Sequence, residues 1–199
     1  MGEQVRISAN VVSDMELARC ARGVIEYEGT AYPFAMVRTS TGFAGSALQF
    51  PSIATAPTRS TLDVLMQQQT ALFLLEHRRS GTPPPRPFDR SEIDLADWTD
   101  AGETPEVVYV APSDVSEVSV TIERAIRAQG MTYAALARRM AVPRSVVTRL
   151  TDPFYFGHTT RTLRKVAEAL GLALRVDFVA GLADDRSSSP VREPSSSHA

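Results

Sequence analysis

The chain reads as an α+β protein: a small partial sheet covered by one helix, followed by an all-α module that ends in a strand. Three observations predict this. Short apolar runs broken by glycine turns fill the region after Gly23 and lead into a long amphipathic segment that stops at Gly81. A proline-rich stretch, SGTPPPRP at 80–87, then interrupts all regular patterning. Beyond it, residues 121–178 place apolar side chains at helical spacing, with one forced break at Pro143. Domain limits follow at 1–22 (an N-terminal extension), 23–112, 113–180 and 181–199 (a serine-rich tail, expected to be disordered).

Taken in order, the stretch before Arg22 gives either a short helix near Met15–Ala21 or a flexible extension. Val24–Glu28, Phe34–Thr39 and Gly45–Phe50 are strand candidates, with turns at Gly29-Thr30-Ala31 and Thr41-Gly42. A helix opens with a capping-box-like Ser60-x-x-Asp63, carries Leu62, Leu65, Met66, Leu72 and Phe73 along one side, and ends at Gly81. The 80–106 segment reads as a tether with at most a short helical turn in its acidic part, and Val107–Val110 as a short strand.

In the second half, a proline inside a helix lacks an amide donor and clashes with the carbonyl four residues back, here Arg139. The expected reading is therefore two helices, not one through 143. Thr132 caps a helix running to about Met140, Val142 is pushed toward extended geometry, and Pro143 suits the first position of a second helix reaching about Thr151. Leu136, Ala137 and Met140 share one face of the first, and Val147 and Leu150 one face of the second. Packing these faces together leaves Arg144, Ser145, Thr148 and Arg149 outward, a basic and polar surface of the kind that enters a DNA major groove.

The net charge of -2 conceals opposite halves. Residues 116–180 hold ten Lys or Arg against five Asp or Glu, a net of +5, whereas residues 1–115 hold nine against fifteen, a net of -6. The basic half suits phosphate neutralisation, the acidic half a basic partner. No run approaches transmembrane length, no secretory signal opens the chain, and the single Cys20 cannot form an internal disulfide, so a cytoplasmic location is expected. Cys20, His77, His158 and His198 lack metal-ligand spacing, and neither metal nor cofactor is expected.

Residues 121–178 resemble the lambda-repressor-type, or xenobiotic-response-element-type, helix-turn-helix family. The resemblance implies base-reading roles for Arg144, Ser145 and Arg149, and a phosphate contact for Tyr133; Thr148 lies on the same surface, and His158 in the following loop is a further backbone contact. Ala141 stands where the family prefers glycine, and Pro143 where it prefers a serine or threonine cap.

The segment YPFAMVRTSTGFAGSALQFPSIATAPTRSTLDVLMQQQTALFLL resembles the N-terminal domain of HicB antitoxins. The shared features are the paired strand at Tyr32–Val37, Phe50-Pro51 ending a strand, an irregular loop at Ile53–Thr58, Thr61-Leu62 opening a helix, and the proline-containing exit at Pro83–Pro87. That family's acidic-glycine turn is replaced by Thr39-Ser40-Thr41-Gly42, and its Asp after Phe-Pro by Ser52. The resemblance implies a partial RNase H-like fold without nuclease activity that covers HicA, a small basic messenger-RNA-cleaving toxin, while the C-terminal module represses the operon by binding operator DNA. Toxin contacts are expected around Phe50, Pro51, Ile53, Thr55 and Thr58.

A metal-dependent nuclease would need converging carboxylates; Glu26 and Glu28 share a strand face and Glu76 lies on the helix, but strands two and three add none. No nucleophile set or phosphate-binding glycine loop has a motif, so no catalytic residue is assigned. The alternative to an antitoxin is a stand-alone repressor with an effector-binding N-terminal domain. Leu172–Val179 alternates like a strand and needs a neighbour, either Glu117–Val120 or the same segment of another subunit. A homodimer or higher even-numbered oligomer on an inverted-repeat operator is expected.

Overall fold

The computed structural model describes residues 24–25, 30–95 and 105–176. In chain order these form β1 (Val24–Ile25), β2 (Tyr32–Thr39), β3 (Gly42–Ala47), β4 (Ile53–Ala56), α1 (Arg59–Ser80), a single 3-10 turn (Arg90–Glu92), β5 (Glu106–Val110), β6 (Val115–Ser116), α2 (Glu117–Ala128), α3 (Tyr133–Met140), α4 (Arg144–Leu150) and α5 (Thr160–Leu170). The result is mixed: one four-stranded antiparallel sheet, a two-stranded pair of β1 with β6, and five helices.

The sheet has the order β4-β3-β2-β5. Its β2–β3 hairpin turns on Ser40 and Thr41, with Thr39 opposite Gly42. Glycine is required there because a Cβ at 42 would sit 2.2 Å from the Ala56 carbonyl oxygen of β4. Side chains alternate along each strand, so Phe34 and Met36 of β2, Ala54 and Ala56 of β4, and Val110 of β5 point to one face, where Leu62 and Met66 of α1 close a core. Tyr32, Phe34, Phe50 and Phe73 form an aromatic cluster at one end, with Phe50 stacked on Phe73 at 4.2 Å and 8°.

Several expectations change. The three-stranded unit before α1 is β2, β3 and β4, whereas β1 leaves that sheet to pair with β6. Ile53–Thr58, expected as an irregular loop, is strand β4 followed by the cap of α1: the Thr58 hydroxyl accepts the Thr61 amide at 3.2 Å, and Asp63 instead lies 3.6 Å from Arg59. Ser60 therefore does not cap. Leu72 is exposed, turned away from the core that Leu62 and Met66 enter. The third strand candidate ends at Ala47 because the chain bends, with Leu48 N–H donating to Pro33 and Ala47 N–H to Ser52.

The proline-rich stretch is no free tether. The Tyr32 hydroxyl donates to the Pro85 carbonyl at 2.6 Å, the Gln49 amide donates to Arg86 and accepts from Phe88, and the Tyr109 hydroxyl donates to Phe88. Residues 85–88 are thus strapped to one end of the sheet. The strap supports the expected helical turn, in which Glu92 holds both Arg86 and the Asp89 amide. Arg86 first, and then that amide, lower the Glu92 carboxyl to about 2. At the far end of the sheet Arg59 grips Glu106, joining the start of α1 to the start of β5 and holding that carboxyl below its ordinary range.

A second core joins α2 to α5 and contains Ile122, Ile126, Leu136, Met140, Val147, Leu150, Val166 and Leu170. A third crosses between the halves: Ala71 and Leu75 of α1 meet Val115 and Val120, with Phe154 packed against them. Around it, Arg78 pairs with Glu117, and Arg79 with Glu123, a buried carboxylate that Arg127 also holds. Glu117–Val120, offered as a strand partner for the chain's last segment, is the first turn of α2. Within Leu172–Val179 only Val176 makes a strand-type bridge, and residues 177–179 lie outside the described part. Cys20, His198, Glu26, Glu28 and the Met15–Ala21 segment also lie outside it.

Candidate nucleic-acid interface and partner surface

The α3–α4 pair is built by local chemistry. The Thr132 hydroxyl accepts the Ala135 amide at 3.1 Å and starts α3. Ala141 ends it in the left-handed region at φ 53°, the one non-glycine residue with positive φ among the described residues. There its amide and that of Val142 donate back to Arg138 and Ala137, satisfying the last carbonyls of α3. Pro143 occupies the cap position (φ -60°, ψ 148°), one residue before the helical start expected for it, and α4 begins at Arg144. Proline offers no side-chain cap; the Val146 amide instead donates to the Pro143 carbonyl at 3.0 Å, closing the first turn of α4.

Leu136 and Val147 are fully buried between the two helices, and Ala137, Met140 and Leu150 accompany them. Arg144, Ser145, Thr148 and Arg149 are exposed on the opposite side of α4. Tyr133, half-buried against the core, forms one wall of an open depression completed by Ser145, Thr148, Arg149, Thr151 and Asp152. Arg144 carries no ion-pair partner among the described residues. Arg149 lies with its Cζ 5.3 Å above the Tyr155 ring, in cation–π range. Thus five of the six expected nucleic-acid contacts lie on one continuous outward surface.

His158 does not join them. Its Nε2 lies 3.0 Å from the Leu150 carbonyl and 3.3 Å from the Ser119 hydroxyl, and its ring meets Tyr155 edge-on at 4.9 Å. It therefore fastens the loop after α4 to the end of that helix. Tyr155 lies outside the expected contacts; the aromatic run Phe154-Tyr155-Phe156 is its signal in the sequence, since such rings in a short loop need a packing partner.

The expected toxin-facing residues separate into three groups. Phe50 is an aromatic core residue, and Thr58 is a helix cap. Pro51, Ile53 and Thr55 remain exposed, the last two on the same side of the edge strand β4, with Ile53 73% accessible. Of the nuclease candidates, Glu76 is an exposed helix residue 3.7 Å from Arg79, and no cluster of three or more metal-ligating side chains occurs among the described residues. His77 packs edge-on against Phe73. No helix of the described residues is long and apolar enough to cross a membrane. Comparison of the chain with protein-family models and with curated proteins returns no match for either.

Proposed function

We propose that the chain binds duplex DNA through the outer face of α4, in the manner of a helix-turn-helix repressor, and that its N-terminal domain, read as partial RNase H-like, neutralises a small basic HicA-type toxin. The observation that carries the DNA half is the unobstructed row of Arg144, Ser145, Thr148 and Arg149 beside Tyr133, backed by a fully buried inner face. Arginine on such a helix reads guanine edges bidentately, for about 1–3 kcal/mol of discrimination each. The module's net +5 supplies the phosphate attraction, so affinity falls steeply with salt. Neither task needs catalysis or a cofactor, and an even-numbered oligomer would present paired α4 helices to an inverted repeat.

The toxin half rests on the strand-strand-strand-helix order with its proline exit, on the acidic N-terminal charge, and on Ile53 and Thr55 standing free on an edge strand. Arg144→Ala with Arg149→Ala should cut operator affinity by about 2–6 kcal/mol in sum while leaving toxin neutralisation intact. Ile53→Asp should do the reverse, with stability changed by less than about 0.5 kcal/mol. Fluorescence anisotropy with promoter duplex and a growth-rescue assay with the adjacent gene's product read the two separately. A repressor without a toxin partner is the second reading, favoured by the structural duties of Phe50 and Thr58; it holds if Ile53→Asp changes nothing and no small basic protein binds.

A further inference from the structure

The nine residues between α4 and α5, Thr151–Thr159, do more than connect them. Phe154 packs into the core that joins Ala71 and Leu75 of α1 to Val115 and Val120. On one side of it the Pro153 carbonyl accepts the Ser116 amide at 2.7 Å, and on the other the Tyr155 carbonyl accepts the Ser119 hydroxyl at 3.3 Å. The loop is thereby fixed to the junction of the two halves. The Tyr155 ring is then held in place by its hydroxyl, which donates to the Gly157 carbonyl at 2.8 Å, and by the edge of His158. Arg149 rests on that ring.

We propose that Phe154 and Tyr155 are positioning residues through which helix α1 of the N-terminal domain sets the outward pose of Arg149. The proposal rests on reading the outer face of α4 as the DNA-binding surface. A free arginine samples many rotamers and loses them on binding, whereas one laid on a fixed ring is already ordered. The ring in turn is placed by a loop whose anchor, Phe154, packs against the cluster that Ala71 and Leu75 of α1 form with Val115 and Val120. A partner that shifts the Ala71–Leu75 turn of α1 therefore reaches Arg149 without touching DNA.

Two variants test the link from opposite ends. Phe154→Ala removes the anchor. Gly157 is exposed, and a Cβ there would lie 2.6 Å from the Tyr155 hydroxyl oxygen and 2.8 Å from Cζ, so Gly157→Ala forces the seat of the ring on the loop to shift. In the free full-length chain, the Nε–Hε resonance of Arg149, identified by its loss in Arg149→Ala, should be ring-shifted and ordered, and should move to the position of a solvated arginine in both variants. An unchanged resonance in either variant overturns the assignment. With the duplex that the wild-type chain enriches from a random 30-base-pair library, each variant should weaken binding about 2- to 12-fold. That loss should vanish in the Arg149→Ala background; losses that multiply there show independent effects and also overturn the proposal. If no duplex is enriched, the DNA-binding reading fails, and the resonance alone still decides whether Phe154 and Tyr155 place Arg149.

Discussion

The α3–α4 pair and the Phe50–Thr58 segment both carry sequence-predicted contacts, yet they use them differently. In the helical pair, apolar and polar duties are divided by a 3.6-residue period within seven residues of α4, so Val147 and Leu150 turn in while Arg144, Ser145, Thr148 and Arg149 turn out. In Phe50–Thr58 the same division depends on distant partners. Phe50 goes inward because Phe73 of α1 lies there, and Ile53 stays out because β4 is an edge strand. A surface drawn from helical periodicity keeps its members together, whereas one drawn from a linear segment that bends and pairs does not.

Substitutions in the cores separate the two segments most strongly. Leu136→Ala, at a fully buried position between α3 and α4, should cost about 2–5 kcal/mol and abolish DNA binding. Retained affinity, with an unfolding midpoint unchanged by calorimetry, would mean that α4 does not need α3 behind it. Smaller is the effect expected at Thr58, where alanine removes the cap of α1 at about 1 kcal/mol and serine restores it. If Thr58→Ser loses toxin binding without loss of stability, the hydroxyl's surroundings matter to a partner, and capping and partner contact overlap in this segment.

Ala141→Gly probes the turn. Relief of a left-handed alanine should stabilise the fold by about 0.5–1 kcal/mol, because part of the gain is returned through the freer unfolded chain. A denaturant midpoint that falls instead would show that alanine's backbone preference is not what limits the turn. The smallest effect concerns the strap. Glu92 is depressed from 4.5 to about 2, so its contacts with Arg86 and the Asp89 amide contribute in full above pH 4.5 and are lost as pH falls toward 2. The Asp89 amide shift should follow that lower midpoint in an NMR titration; a midpoint near 4.5 would show the turn unformed in solution.

What was legible in the sequence follows the same division. Thr132, Pro143 and the buried faces of α3 and α4 obey local rules, and the structure places them within one residue of expectation. Strand β4 is hard to read because Ile-Ala-Thr-Ala is only four residues long and lies between two prolines, and pairing with β3 is what makes it a strand. The two-residue pair of β1 and β6 is too short to carry any period. His158 looked like a surface loop histidine because nothing nearby in sequence announces Ser119, 39 residues earlier, as its partner. The same holds for the strap, whose grip on the sheet comes from Tyr32, Gln49 and Tyr109.

The junction formed by Leu75, Val115, Val120 and Phe154, with Glu123 shared between Arg79 and Arg127, bears on how the two proposed tasks can be told apart experimentally. Cutting the gene near residue 112 would yield a C-terminal fragment with a fresh oily patch and a carboxylate stripped of its Arg79 partner, and an N-terminal fragment with Leu75 laid bare. Poor solubility or weak DNA binding of such pieces would then report the wound, not the division of labour. Point substitutions on the outer surfaces, made in the intact chain, avoid that artefact.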